Sequence, residues 1–82
     1  GGGGMTRLVV QSGEQRGMRP KDLVGAIANE AKIAGDSIRA IEIREQYSLV
    51  EVREVDADKV IRALSRATLR GQKVVVRRED ER

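Results

Sequence analysis

Apolar and polar positions alternate with a period of two in four stretches of this chain and recur with helical spacing in two others. Arg7–Ser12 (RLVVQS) is the first alternating run, with Leu8, Val10 and Ser12 on one side and Arg7, Val9 and Gln11 on the other. Its β-branched residues and its stop at Gly13 predict a strand. Ser37–Arg44 is the second run, with Ile41 and Ile43 inward and Arg39 reaching the rim. Glu45 and Gln46 form a tight connection to the third, Tyr47–Glu54. There Ser48, Val50 and Val52 share a face free of charge, which is assigned to the core; Tyr47, Leu49, Glu51 and Arg53 share the other. Lys73–Arg77 (KVVVR) is the fourth, with Val74 and Val76 inward.

The helical stretches lie between these runs. Pro20 suits the first helical position, Asp22 complements the helix dipole, and Met18 and Leu23 stand where a hydrophobic staple would join them. A first helix is predicted from Pro20 to Lys32, with Leu23, Ala26, Ile27 and Ala31 as its buried stripe, Val24 beside it and Gly35 as a left-handed cap. Gly25 is unfavourable inside a helix, and close packing on the sheet is its expected reason. The second helix is predicted from Ala57 to Leu69, with Asp56 as N-cap and Gly71 as its end. Ala57, Val60, Ile61, Leu64 and Ala67 or Thr68 form its stripe.

The order is βαββαβ. Right-handed crossovers place both helices on one face of a four-stranded antiparallel sheet of order 4-1-3-2, an α+β, ferredoxin-like fold. The open face then presents Arg7, Val9 and Gln11 beside Tyr47, Leu49 and Glu51. Lys73, Val75 and Arg77 flank it on one side, and Ala40, Glu42 and Arg44 on the other. Residues 1–5 read as a linker or fusion scar, 6–78 as the domain, and 79–82 as a charged tail.

Composition removes whole classes of chemistry. Cysteine and histidine are absent, so disulfides, thiolate metal sites, cysteine nucleophiles and the usual general base are excluded. No apolar run is long enough to span a bilayer and no secretory leader is visible, so no membrane partner is expected and a cytoplasmic location is. No cofactor is expected. The formal net charge of +3, from 16 Lys and Arg against 13 Asp and Glu, fits a polyanionic partner.

Candidate chemistry is accordingly sparse. Asp56 and Asp58 read as helix-start residues, and Glu79, Asp80 and Glu81 as a solvated tail. Gly13–Gly17 lacks the ending of a phosphate loop, though its amides with Arg16 and Arg19 could meet one phosphate; the plainer reading is a flexible loop. Lys59, Arg62, Arg66 and Arg70 form a basic row on the second helix, either a solvated face or a ridge that tracks phosphates. Tyr47, the sole aromatic, is either a half-buried strand residue or a stacking platform for a base. The motif K/R-G-F/Y-G/A-F-V-x-F/Y of RNA-recognition sheets, laid on Glu45–Val52, puts Tyr47 on an exposed aromatic position, Ser48 on the small one and Val50 on the valine. Leu49 and Glu45 depart from it, and Val9 stands where another stacking aromatic is expected.

The segments RGMRPKDLVGAIANEA, IRAIEIREQYSLVEV and RALSRATLRGQKVVVRR resemble the C-terminal RNA-binding domain of bacterial DEAD-box RNA helicases, the DbpA-type divergent RNA recognition motif. The resemblance covers nearly all of Arg7–Arg78. It implies a module that hydrolyses nothing itself and tethers an ATP-dependent helicase core to structured, often ribosomal, RNA, as in ribosome biogenesis or cold shock. Members have few platform aromatics, so Val9 and Leu49 are expected departures. RNA contacts are expected from Arg7, Arg44, Lys73, Arg77 and Arg78 around the sheet and from Arg16, Arg19 and Lys21 over the first loop. Tyr47 and Gln11 are expected to touch bases.

Two other classes stay in view. The same fold can pair through its sheet face, where Val9, Leu49 and Val75 offer a small apolar patch, although the isolated domain is expected to be a monomer. An enzyme on this scaffold finds no convincing acid–base pair to support it.

Overall fold

The computed structural model describes residues 4–33, 35–69 and 71–79. The linker reading of Gly1–Gly3, the tail from Asp80 and the Arg70 end of the basic row lie outside the described residues. The strands are β1 (Met5–Val10), β2 (Ile38–Ile43), β3 (Ser48–Arg53), β4 (Thr68–Leu69), β5 (Gln72–Lys73) and β6 (Val76–Arg78); the helices are α1 (Pro20–Ala26) and α2 (Glu54–Arg66). One antiparallel sheet runs β2-β3-β1-β6, and β4 and β5 form a separate hairpin. With β6 as the fourth strand, this is the expected order seen from the other edge, in the α+β, ferredoxin-like arrangement.

The core collects one face of every sheet strand and the apolar stripes of both helices. Leu8, Val10, Leu23, Ile27, Val50, Val52, Ala57, Val60 and Leu64 are fully buried, and Val74 and Val76 nearly so. Ser48 sits among them without penalty because its hydroxyl donates to the Ser12 carbonyl at 2.7 Å. Met18 and Leu23 are both buried in this cluster, as the staple requires. In β2 the pairing slips between Ile38 and Ala40, which makes Arg39 an extra, bulged residue. The bulge lets Ile38 join Ile41 and Ile43 against the core although a regular strand would turn it outward.

Several boundaries differ from the sequence expectation, each for a visible reason. β1 starts at Met5, and the Gly4 carbonyl accepts the Glu54 amide at 2.9 Å. That bond serves an amide at the start of α2, which therefore begins at Glu54 and not after a cap at Asp56. Asp56 lies in the first turn and faces Arg53 at 3.9 Å. α2 ends at Arg66, and Ala67 is already extended (ψ 156°), because the chain turns back as a hairpin that buries Leu69. Gly71, at φ +80°, belongs to that hairpin's turn and not to a helix end. Lys73 is thus in β5, outside the main sheet. α1 widens into a π-helical turn at Ile27–Ala31, and the left-handed residue that closes it is Lys32 (φ 55°); Gly35 opens a short 3-10 turn instead. Gly25 makes no close approach: a β-carbon there would meet nothing within 4 Å.

Candidate nucleic-acid interface

The connection from β1 to α1 is built onto the connection from β2 to β3. The Glu14 amide donates to the Arg44 carbonyl at 2.7 Å and the Gln15 amide to the Glu45 carbonyl at 2.9 Å. The backbones lie so close that a β-carbon on Gly13 would overlap the Arg44 carbonyl oxygen and stand 2.6 Å from the Tyr47 nitrogen. Arg16, Gly17 and Met18 donate their amides within the same loop, to the Gly13, Glu14 and Gly13 carbonyls. The amides of 14–18 are therefore occupied, and the loop is a clasp, not a phosphate cradle.

This clasp fixes the turn that carries Tyr47. The Arg44 amide donates to the Tyr47 carbonyl at 2.8 Å, and Tyr47 precedes β3 by one residue. The residue stays 41% exposed on the face away from the helices. Beside it is an open concavity of about 370 Å³ lined by Val9, Gln11, Gln46, Tyr47, Leu49, Arg77 and Glu79. Val9 pairs with Leu49 on one side and Arg77 on the other, and at 8% exposure it is the floor. The apolar floor suits the flat face of a ring. Gln11 and Gln46 supply amide donors and acceptors, Arg77 a charge, and Tyr47 a ring and a hydroxyl.

Tyr47, Gln11 and Arg77 thus meet at one concavity. Arg7 lies further along the same face, 3.5 Å from the Glu79 carboxylate, whose amide also donates to the Arg7 carbonyl. Arg77 donates to the Arg78 carbonyl at 3.0 Å. Arg44 follows the end of β2 and pairs with Glu42. Arg16, Arg19 and Lys21 stand apart, around the clasp and the start of α1; Arg16 donates to Gln72 at 2.7 Å, next to Lys73 on the hairpin. The Arg78 guanidinium turns to α2 and is held at 2.9 Å by both Glu54 and Asp58. The hydrogen bond to Asp58 chiefly raises its pKa above the ordinary arginine value, partial desolvation opposes the shift, and Glu54 adds to it.

Two contributors were not singled out from the sequence. Gln46 reads as a mere turn residue, and only its place just before Tyr47 hints that it shares the concavity. Glu79 reads as tail, yet it pairs with Arg7 and sets a negative charge at one end of the site. Among the described residues no cluster of acidic side chains is gathered to hold a metal ion, and no helix is long and apolar enough to cross a membrane.

A family model described as DbpA RNA binding domain matches residues 7–78. A protein of Treponema pallidum (strain Nichols), described as uncharacterized, is 30% identical over 82 residues, a match that takes in 96% of this chain. The chain spans 36% of that relative's length.

Proposed function

The chain belongs to the DbpA RNA-binding domain family, a non-catalytic RNA-binding module, and from that premise we propose that it holds structured RNA by the open face of its sheet. The observation that carries this reading is the Val9-floored concavity, where Tyr47, Gln11, Gln46 and Arg77 surround an open surface with room for a nucleobase. A base exposed in a loop or bulge stacks against Tyr47 over Val9, and the two glutamines read its edge. Arg77 meets the adjoining phosphate, and Arg7 and Arg44 extend the contact along the strand. Arg16, Arg19, Lys21 and Lys73 take up flanking phosphates beyond the clasp. Arg78, tied to α2, contributes by holding β6 in place. With one aromatic where such sheets commonly use several, recognition rests on RNA shape more than on sequence.

The wider role we infer is that of a tether. It rests on the family match alone: an RNA-binding module of this family suits attachment to a DEAD-box ATP-dependent helicase core, which it would hold near ribosomal RNA in the cytoplasm.

The test is amide-shift mapping and binding titration with a short RNA hairpin and with a single strand of the same sequence. The hairpin should bind more tightly and shift the amides of Gln11, Gln46, Tyr47 and Arg77. Tyr47→Ala should weaken binding by about 5- to 150-fold, the equivalent of about 1–3 kcal/mol for a stacked base, with little change in thermal stability. Shifts confined to other surfaces, or a Tyr47→Ala protein that melts early and binds normally, would defeat the assignment.

A further inference from the structure

Charge is segregated along this chain in a way its net value conceals. No Asp or Glu occurs between Lys59 and Arg78, whereas the preceding stretch from Asp36 to Asp58 is dominated by acids. The fold sorts the cations further. Arg7, Arg44, Arg53 and Arg78 are each matched to a carboxylate. Lys59, Arg62 and Arg66 are exposed on α2 and have no ion pair or hydrogen bond among the described residues.

These three residues share one side of α2, three and four residues apart. The helix turns Ala57, Val60 and Leu64 to the core, so the row lies on the far side from the sheet. It spans about 10 Å at the rise of an α-helix. A solvated helix face ordinarily mixes signs, because like charges four apart, as Arg62 and Arg66 are, repel. The acids of α2 sit in its first turns, with Asp56 near Arg53 and Asp58 bound to Arg78, and offer this row no neutralising partner. A polyanion that follows the helix axis would supply it.

We propose that Lys59, Arg62 and Arg66 form a second RNA-contacting surface, which grips the phosphates of an RNA segment other than the one seated at the sheet. The proposal rests on the RNA-binding reading above and extends it: the domain is a bridge between two segments of one folded RNA. Contacts of this kind carry no base information, so the ridge adds affinity and salt dependence while the concavity supplies selectivity. Once one segment is seated, the other engages at high effective concentration, which favours RNAs whose duplex arm can reach around the domain.

The experiment compares the wild-type domain with a Lys59→Gln, Arg62→Gln, Arg66→Gln triple variant. Glutamine preserves helix propensity at these exposed positions, and a melting curve checks the fold. The probes are a hairpin extended by a duplex arm and a short single strand. The triple variant should bind the extended hairpin on the order of tenfold more weakly at low salt. Its dependence of log affinity on log salt should be shallower by about 2 to 3, one increment for each lost phosphate contact, and its binding of the short strand should change little. In the wild type, amides 59–66 should shift with the extended hairpin. That measurement also decides the matter if the triple variant folds poorly. Unchanged affinity and salt slope, with Tyr47→Ala still weakening the same RNA, would overturn the ridge alone. Failure of the wild type to bind either RNA would overturn the underlying reading with it. Ridge amides that move with polyglutamate but not with RNA would assign the surface to an acidic protein and likewise overturn the proposal.

Discussion

At Gly13 the backbone leaves no room for a β-carbon, because the Arg44 carbonyl and the Tyr47 nitrogen already fill that space. Gly13→Ala is therefore expected to destabilise the domain by about 1–3 kcal/mol, the usual cost of overpacking, and to lower RNA affinity by loosening the turn beneath Tyr47. Parallel denaturant melts and binding titrations check both effects; a variant of unchanged stability would mean that the two connections separate easily. Ser48 is a different kind of constraint. Its hydroxyl is buried and satisfies the Ser12 carbonyl, so Ser48→Ala should cost about 1 kcal/mol without altering the sheet face. Stability measured against RNA affinity separates that role from Tyr47, whose loss is expected to show in binding. The inward setting of Ser48 is legible from its place in an alternating run. The need for glycine at position 13 is not, because the atoms that exclude a side chain come from a connection about thirty residues away.

Individual elements show where local pattern suffices and where it fails. The stripes of α1 and α2 and the inward faces of β1 and β3 follow from periodicity, since burial of one face is what gives these segments their period. Boundaries do not follow so directly. α2 starts early because the Gly4 carbonyl serves the Glu54 amide, and it stops early because Leu69 gains burial in the hairpin. Both reasons lie outside the helix. The bulge at Arg39 leaves only an indirect sign, the odd spacing of Ile38 from Ile41. Gly25 has no neighbour that demands it. Gly25→Ala should accordingly stabilise the domain by about 0.5–1 kcal/mol, raising its melting temperature by roughly 2–8 °C in a domain of this size. A lower melting temperature would indicate that the passage from α1 into the π-helical turn needs glycine's freedom.

For the whole molecule, the relevant electrostatic fact is the arrangement of charge and not its sum. A domain with exposed cations on α2 and around the clasp should lose RNA affinity steeply as salt rises, and titrations between about 50 and 200 mM salt measure the slope. A flat response would leave no role for phosphate contacts. Val75 is 64% exposed, but Val9 is buried and Leu49 half-buried on the open sheet face, which leaves the apolar patch small, so the isolated domain should sediment as a monomer; a dimer that hides Tyr47 would favour a protein-interaction role for that face. The sequence by itself determined the order of the sheet strands and the two helices, the inward faces and the lack of histidine and cysteine, because periodicity and residue type are local properties. Tertiary structure alone decided which polar groups surround Tyr47, which amides of the first loop are already taken, and which arginines are matched by carboxylates. Those outcomes depend on segments far apart in the chain meeting at atomic distances, and no pattern within one segment records them.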